Sequence, residues 1–341
     1  MTERTGVRGV AVVGLGVGRA HLWSWKRLPE HFRVTAVCDH DDERRAATAE
    51  RFPDAFAAAD LDDLLGRDDV DVIDLCTPPA LHLDQITRAL RAGHDVVCEK
   101  PLVGTAEEVD QLVELERETG RRVMPVFQYR YGHGLQKLRH LVDAGLTGRL
   151  HTATIEVSWL RGQEYYAAPW RGTVAGELGG VLLTHAVHAL DMLTYVAGPV
   201  TSVSARTATR VNDVETEDCA AVAMELEGGA LATLSATLGS LVEITRHRFC
   251  FERLTAQSNT EPYTNSSDPW TFTSSDGSDA VDAALESFVP RNENFLGQFE
   301  RFGAALRDGT ELPVTLADAR RAIAAVNAMY ESATTRQEVL L

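Results

Sequence analysis

An apolar run near residue 10 passes directly into a glycine-rich turn, and this pattern restricts the fold more than any other feature. Residues 10–13 are Val-Ala-Val-Val, and Gly14-Leu15-Gly16-Val17-Gly18 leads into a segment of helical character. Such a strand, turn and helix are typical of a doubly wound parallel sheet, in which the first glycine permits the tight turn and the second lets the backbone approach a pyrophosphate. Gly14, Gly16, Val17 and Gly18 are therefore candidate dinucleotide-binding residues.

The next strand ends in an acid at a distance that fits the same kind of site. The third glycine of a G-x-G-x-x-G pattern would fall at Arg19, so the turn is one residue shorter and Gly18 takes that place. The strand 33–38 ends at Asp39, 23 residues after the second glycine. A carboxylate there accepts hydrogen bonds from ribose hydroxyls and repels the extra phosphate of NADP, so it indicates NAD, with NADP less favoured. In the alternative interpretation, Asp39 caps the helix that follows.

Strands and helices continue to alternate up to about residue 125, which predicts a parallel sheet. A helix with a capping-box pattern begins after Thr105 and closes at Gly120. Further buried-type strands are predicted at residues 70–76, 96–98 and 123–127. We predict a first domain at residues 1–125.

Glu99-Lys100-Pro101 follows the strand 96–98 and places a lysine at the carboxyl end of that strand. The carboxyl ends of parallel strands line the crevice in which a doubly wound sheet binds its ligand, so Lys100 is a candidate catalytic residue. By itself a Lys-Pro pair after a strand commonly marks only the end of the strand. Its position in the alternating pattern indicates an enzyme.

The second half of the chain predicts a different architecture, an antiparallel or mixed sheet interrupted by a helix, and forms a second domain at residues 126–341. The helix follows Gly179-Gly180 and ends at Gly198-Pro199, and two final helices are expected to pack back onto the body of the protein. The predicted strands are 149–160, 200–210, 218–227 and 230–238, and the final helices are 295–307 and 316–332.

The interrupting helix carries polar side chains at spacings of four and three residues, which predicts that Thr184, His188 and Asp191 share one face. His188 titrates nearest neutrality and is the candidate acid or base, and Asp191 is the candidate to orient its ring. The alternative is a hydrogen-bonded core histidine without a catalytic role.

Composition excludes several classes of function. Acidic residues outnumber basic ones by 50 to 33, so nucleic acid is an unfavourable partner. The N-terminus carries no apolar signal segment and no run approaches the roughly 18 apolar residues of a membrane span, so we expect a soluble cytoplasmic protein. The five cysteines form no C-x-x-C pair and are expected to be reduced core thiols, and no metal site is predicted.

These motifs together resemble the Gfo/Idh/MocA oxidoreductase family over essentially the whole chain. The resemblance rests on Gly14-Leu15-Gly16, Asp39, Thr77-Pro78-Pro79 with His82, Glu99-Lys100-Pro101, Trp170-Arg171, Gly179-Gly180, the segment 188–191 and Pro313-Val314-Thr315. It implies an N-terminal Rossmann domain and a C-terminal α+β domain with an open, largely antiparallel sheet that mediates homodimers or homotetramers. It also implies NAD or NADP bound between the domains and a sugar or cyclitol substrate.

By this resemblance, Lys100 contacts the nicotinamide ribose and the reacting hydroxyl, and His188 accepts the hydroxyl proton. The family commonly has an Asp four residues before this His, whereas this chain has Thr184, so His185 or Asp191 is a candidate for part of that role. The resemblance adds Thr77, Pro78, His82, Glu99 and Gln128 to the candidate cofactor residues.

Aromatic and guanidinium side chains before the His188 helix suit a sugar, because rings stack on sugar C–H faces while Arg and Tyr bond to hydroxyls. Alternatively, these side chains pack a domain or subunit interface. The candidate substrate residues are Lys100, Tyr129, Arg130, Trp159, Arg161, Tyr165, Tyr166, Trp170, Arg171, Thr184, His185 and His188.

The resulting prediction is an NAD-dependent dehydrogenase or reductase that interconverts a secondary hydroxyl and a ketone on a sugar, glycoside or cyclitol. One alternative is NAD-dependent glycoside cleavage without net redox change. Another is a non-catalytic sugar or nucleotide sensor, against which the presence of both Lys100 and His188 argues.

Overall fold

The computed structural model describes residues 6–275 and 279–341. The chain forms two compact units. The first contains the chain up to Val126 and returns at Phe295–Arg320, and the second contains Phe127–Asn294 and Arg321–Leu341.

The first unit is built on six parallel strands. They are β1 (Arg8–Val13), β2 (Phe32–Cys38), β3 (Phe56–Ala58), β4 (Val72–Leu75), β5 (Asp95–Cys98) and β6 (Val123–Pro125). The connecting helices are α1 (Gly18–Lys26), α2 (Asp42–Ala49), α3 (Asp62–Leu65), α4 (His82–Ala92) and α5 (Ala106–Thr119). The strand order is β3-β2-β1-β4-β5-β6, so the chain runs outward from β1, then returns to β1 and runs outward the other way. The predicted doubly wound sheet is confirmed, and its switch point lies at the carboxyl ends of β1 and β4.

Local sequence signals set the ends of several elements. Thr105 and Glu108 form the predicted capping box at the start of α5, each side chain accepting a hydrogen bond from the other's backbone N–H. Gly120 ends α5 with φ 65°, a left-handed conformation that glycine adopts without steric cost.

The second unit contains a mixed, mainly antiparallel sheet, which confirms the predicted fold class. Its strands are β7 (Leu150–Leu160), β8 (Val200–Ala208), β9 (Cys219–Leu226), β10 (Leu231–Thr237), β11 (Gly239–Phe251), β12 (Leu254–Gln257), β13 (Thr271–Ser274) and β14 (Val339–Leu340). Their order is β13-β12-β11-β7-β10-β9-β8-β14, and only the β7–β10 pair is parallel among the strands described. The remaining helices are α6 (His133–Asp143), α7 (Val174–Glu177), α8 (Val187–Ala197), α9 (Asp279–Glu286), α10 (Asn294–Asp308) and α11 (Leu316–Thr335).

Strand β11 has 13 residues and pairs with β7, yet the sequence pattern does not predict it. Its inward positions include Thr245 and His247. These residues are polar, so the segment lacks the alternation of apolar and polar residues that predicts a strand. Both are buried because each is hydrogen-bonded: Thr245 accepts from the indole N–H of Trp159 at 2.8 Å, and Nε2 of His247 lies 3.0 Å from the carbonyl of Ala189.

Helix α10 belongs almost entirely to the first unit, although it lies far from the other elements of that unit in sequence. Phe299 stacks on Trp25 with ring centroids 3.9 Å apart, and Phe302 stacks on Phe32 at 6.0 Å. The side-chain amide of Gln298 donates to the carbonyl of Pro125, at the end of β6, at 2.7 Å.

Residues Val174–Ala197 form a helical run that is long and apolar enough to cross a membrane by length and composition. Of its most apolar 18-residue window, 83% is buried inside the protein. Burial of this kind is characteristic of a core helix in a soluble protein.

Candidate active site

The glycine turn after β1 has the geometry that its sequence predicts. Gly14 has φ 89°, and a Cβ there would lie 2.5 Å from the carbonyl oxygen of Cys76, so no other residue fits. A Cβ on Gly16 would meet nothing within 4 Å, which leaves open space beside the backbone. A Cβ on Gly18 would lie 3.0 Å from the side chain of Val12, so Gly18 permits the close helix–strand approach of the third glycine in such turns.

Asp39 faces this turn from the end of β2 and is almost fully buried. Its Oδ2 accepts a hydrogen bond from the backbone N–H of Leu15 at 2.8 Å and from the guanidinium of Arg44 at 3.1 Å, and its Oδ1 accepts from the N–H of Asp41 at 3.0 Å. Burial opposes ionisation, but these donors together lower the pKa of Asp39 below its ordinary value. Asp41, not Asp39, caps α2, because its side chain accepts from the N–H of Arg44.

The segments that follow β4 and β5 are tied together by His82. Its Nδ1 lies 2.9 Å from the carbonyl oxygen of Pro101 and its Nε2 lies 2.9 Å from that of Thr77. The ring is fully buried, and burial lowers its pKa although both carbonyl contacts oppose this effect. His82 therefore supports the Thr77-Pro78 and Glu99-Lys100-Pro101 segments from below. Lys100 itself is partly buried.

A cluster of ionisable side chains that sequence reasoning missed lies beneath this edge of the sheet. Nδ1 of His21 faces the carboxylate of Asp74 at 3.0 and 3.1 Å, and its Nε2 faces Oε1 of Glu99 at 3.1 Å. The thiol of Cys76 lies 3.4 Å from the same Nδ1. The sequence did carry a signal, since Asp74 is a carboxylate inside a strand that is otherwise apolar and fully buried.

In the second unit, the predicted His188 helix is interrupted. Leu182–Ala186 forms a π-helical turn and α8 begins only at Val187, so the regular spacing assumed for Thr184 and His188 is not kept. The hydroxyl of Thr184 donates to the carbonyl of Gly180 at 2.7 Å and lies 2.7 Å from Nδ1 of His185.

The ring of His188 stacks on Tyr129 with centroids 4.5 Å apart and meets the edge of Phe127 at 6.3 Å. The expectation that Asp191 orients this ring stays a prediction. Both carboxylate oxygens of Asp191 accept hydrogen bonds from Arg130, at 2.8 and 2.6 Å, and both residues are buried. A bidentate pair of this kind is set by the fork geometry of the guanidinium, which the helix pattern alone does not reveal.

The predicted aromatic and guanidinium side chains form a real cluster, here called the Arg171 cluster. Tyr165 lies between two guanidinium groups, with Arg171 at 3.9 Å and Arg161 at 5.3 Å from its ring. Arg171 also lies 4.4 Å from the ring of Trp170, and Arg161 lies 4.7 Å from that of Trp159. The Arg171 cluster consists of Trp159, Arg161, Tyr165, Tyr166, Trp170, Arg171, His185 and Tyr263.

Tyr263 was not predicted, because it lies in a loop rich in Ser, Thr and Asn whose approach to Trp159 depends on β11 and β12. Its hydroxyl accepts from Arg161 at 2.7 Å. Both arginines of the cluster also pair with carboxylates: Arg161 with Glu243 at 2.9 Å and Arg171 with Glu177 at 3.2 Å. The guanidinium charge of the cluster is therefore largely balanced by these two carboxylates.

Gln128 is the predicted contact of the nicotinamide side. Its side chain is buried, and its Oε1 accepts no hydrogen bond from any residue that the structure describes. A buried acceptor in this state fits a ligand that carries an amide N–H. The open space at Gly16 and the ionised Asp39 in the first unit fit the pyrophosphate and ribose of NAD in the same way.

A doubly wound sheet with this glycine turn and this acid defines a dinucleotide-binding protein of the NAD class. Comparison with known proteins agrees and is more specific. Residues 8–127 match the model of the oxidoreductase family with an NAD-binding Rossmann fold, GFO_IDH_MocA, and residues 135–250 match the GFO/IDH/MocA C-terminal domain. The chain belongs to the Gfo/Idh/MocA family of NAD-binding oxidoreductases, as its sequence motifs predict.

Individual relatives are more distant. The uncharacterized oxidoreductase YrbE of Bacillus subtilis is 28% identical over 65% of this chain and 65% of its own length. The inositol 2-dehydrogenase of Corynebacterium glutamicum is 30% identical over 65% of this chain and 64% of its own length. The match therefore spans slightly less than two thirds of these curated relatives. The WlbA dehydrogenase from Chromobacterium violaceum, solved in complex with NADH and UDP-GlcNAcA, has a TM-score of 0.89 at 27% identity, over 100% of this chain and 97% of that one.

Proposed function

We propose that this protein is an NAD-dependent dehydrogenase that moves a hydride between a secondary hydroxyl of a sugar or cyclitol and nicotinamide. The observation that carries the proposal is the position of Lys100. It follows β5 on the carboxyl edge of the parallel sheet, the edge that also carries the glycine turn and Asp39. Ligands of doubly wound sheets bind at this edge, so Lys100 belongs to the ligand-binding crevice.

Two side chains carry the chemistry in this proposal. When bound, NAD would supply the acceptor for the hydride that leaves the alcohol carbon. In the oxidising direction His188 takes the O–H proton. The ammonium of Lys100 stabilises the negative charge that develops on that oxygen. Stacking on Tyr129, with the two ring planes 23° apart, positions the His188 ring in this proposal.

The remaining cofactor residues divide into two groups. Gly14, Gly16, Val17, Gly18 and Asp39 would hold the dinucleotide, and Gln128 would accept a hydrogen bond from its nicotinamide side. Thr77, Pro78, His82 and Glu99 shape the edge of the sheet, and His82 and Glu99 act through the backbone that they hold.

Sugar or cyclitol substrates are supported by the Arg171 cluster and by the relatives. Stacked rings with interleaved guanidinium groups offer flat apolar surface and hydrogen-bond donors together, which polyhydroxylated rings require. The relatives include an inositol 2-dehydrogenase and a dehydrogenase solved with a sugar nucleotide. In the second unit we assign substrate contacts to Tyr129, Arg130, Trp159, Tyr165, Trp170, Arg171, Thr184, His185 and His188.

The test is the absorbance of reduced nicotinamide over time, with NAD and a panel of free sugars, glycosides, sugar phosphates and inositols. Lys100→Ala is expected to remove nearly all turnover while NAD still binds, and Lys137→Ala, at an ion pair with Asp268, is the matched control. His188→Ala is expected to behave like Lys100→Ala, and His151→Ala, at an exposed position of β7, is its control.

Near-normal turnover of Lys100→Ala contradicts the proposal. Absence of turnover with every substrate, together with measurable NAD binding, contradicts the dehydrogenase and leaves two alternatives. Release of free sugar from a glycoside without net reduction of NAD then identifies redox-neutral cleavage, and ligand binding without any product identifies a sensor.

We propose further that copies of the chain associate through the open face of the second sheet in the cytoplasm. This face presents small and polar side chains, among them Thr154, Ser204, Ala223 and Thr233, and the exposed Leu231 lies on it. Sedimentation velocity of the wild type and of Thr233→Arg is expected to give a dimer or tetramer for the first and a smaller species for the second. A wild-type monomer contradicts this assembly.

A further inference from the structure

The buried His21 cluster lies directly beneath the Glu99-Lys100 turn. We propose that His21 is a positioning residue that bridges Asp74 and Glu99, and that this bridge holds the Lys100 backbone in the orientation that the reaction requires. The proposal rests on the proposed function in one respect, the catalytic role of Lys100. The bridge itself follows from contacts within the first unit.

The geometry sets the charge of the bridge. Both ring nitrogens of His21 lie within 3.1 Å of a carboxylate oxygen, Nδ1 at Asp74 and Nε2 at Glu99. A neutral imidazole has one N–H, so it would leave one nitrogen lone pair against a carboxylate oxygen. An imidazolium donates to both and changes the charge of the cluster from −2 to −1, which matters in a buried site where unpaired charge is costly.

The other groups around the ring agree with a cation. The indole N–H of Trp25 donates to Asp74 at 2.7 Å, and the rings of Phe295 and Phe299 cover His21 at 4.3 and 5.1 Å. Burial opposes protonation of His21 and is the largest single effect, but the charge of Asp74, its hydrogen bond and the contact with Cys76 together outweigh burial and hold the pKa of His21 well above its ordinary value.

Cys76 is the remaining group that faces the ring. Burial raises the pKa of its thiol, so it stays protonated and adds no charge to the cluster. His21, Asp74 and Cys76 each present one atom within 4.8 Å of the others, so the same residues are also the candidate ligands of a metal ion. An ion would require a deprotonated His21 nitrogen and a Cys76 thiolate, whereas hydrogen bonds already satisfy both ring nitrogens.

The bridge connects parts of the unit that must be held together for catalysis. His21 belongs to α1, the helix that begins at the glycine turn, and Asp74 lies in β4. Glu99 passes the contact on, because its second oxygen accepts the backbone N–H of Lys100 at 3.0 Å. The helix at the dinucleotide turn and the turn that carries Lys100 are thus fixed to each other. A misplacement of about 1 Å at a reacting group costs about a hundredfold in rate, so such a connection has a kinetic consequence.

The test compares His21→Gln with His94→Gln in the full-length protein. His94 is a matched control, since it is buried in the same unit and its ring nitrogens lie 3.0 Å from the carbonyls of Val70 and Leu65, away from Lys100. The first readout needs no substrate: the side-chain ¹⁵N resonances of His21 and the backbone amide resonance of Lys100, between pH 6 and 9. We expect two ring N–H groups on His21 across this range, and a change of the Lys100 amide resonance in His21→Gln but not in His94→Gln.

The second readout is kinetic, with the substrate that the panel identifies. His21→Gln is expected to lower kcat by about tenfold to a hundredfold with NAD affinity nearly unchanged, and His94→Gln is expected to leave kcat within about twofold. Adding Glu99→Gln to His21→Gln removes one of two facing carboxylates, so the double variant is expected to lose less than the product of the single losses.

Four results overturn the proposal: a neutral His21 ring, a Lys100 amide resonance that His21→Gln leaves unchanged, equal losses of kcat in His21→Gln and His94→Gln, or loss of both ring N–H groups on addition of Zn²⁺. Absence of turnover in the wild type would instead refute the proposed function. The resonance measurements keep the two failures apart, because they can be read without any turnover.

Discussion

Asp39 is the residue through which cofactor preference can be tested with the least disturbance. Replacing it by Asn removes the negative charge but keeps an oxygen that accepts the N–H of Leu15, the contact that holds the glycine turn. A hydrogen bond to a charged acceptor contributes about 1.5–3 kcal/mol and one to a neutral acceptor about 0.5–1.5 kcal/mol. The expected loss in NADH binding is therefore about 1–2 kcal/mol, or about 5- to 30-fold in Kd.

The same change should favour NADPH, because Arg44 lies 3.1 Å from Asp39 and loses one of its two anionic partners, keeping Asp41 at 3.4 Å. Its guanidinium then becomes available to a 2′-phosphate that the carboxylate no longer repels. We expect the preference for NADH over NADPH to narrow by at least about tenfold.

The assay is titration of each reduced cofactor by nicotinamide fluorescence, which needs no substrate. Asp41→Asn is the matched control, since it removes one negative charge two residues away from a position that caps α2. An unchanged preference for NADH over NADPH in Asp39→Asn, or an equal change in Asp41→Asn, would show that Asp39 does not bind the ribose hydroxyls.

Three further predictions concern the second unit. Arg130→Met leaves Asp191 buried without its bidentate partner and is expected to lower the free energy of unfolding, measured in urea, by about 3–5 kcal/mol. Asp143→Asn, which breaks an exposed pair with Arg139, is the control and should lower it by about 0.5 kcal/mol or less. Similar losses in the two variants would contradict the stabilising role of the buried pair. Arg171→Lys loses the flat stacking surface of the guanidinium and should raise KM for the substrate with kcat retained, and an unchanged KM would remove Arg171 from the substrate site. Burial lowers the pKa of His247 to about 4, below its unfolded value, so its contribution to stability is present above about pH 6.5 and is lost as the pH falls toward 4. Between pH 7.5 and 5 this loss is about 2 kcal/mol, and urea unfolding of His247→Gln should show a pH dependence smaller by that amount; the same pH dependence as in the wild type would mean that the folded protein accepts the proton.

The architecture of the first unit was readable from sequence because its signals are local. A strand, a glycine turn and a capped helix each occupy a few adjacent residues, and their repetition leaves a parallel sheet as the outcome. In the second unit the same reasoning missed β11, because its inward positions carry Thr245 and His247. Polar side chains become interior residues only when a partner elsewhere in the fold bonds to them, and that partner is not visible in the pattern of one segment.

The sequence by itself determined the family, the glycine turn, and the position of Lys100 at a strand end, since each depends on neighbours within a few residues. The tertiary structure decided which polar groups meet. His21 and Asp74 are 53 positions apart, and Arg130 and Asp191 are 61 apart. Their contacts depend on which strands and helices lie next to each other, and that order is set by burial of apolar surface over the whole unit. For this reason the helix pattern did not show that the carboxylate of Asp191 pairs with Arg130.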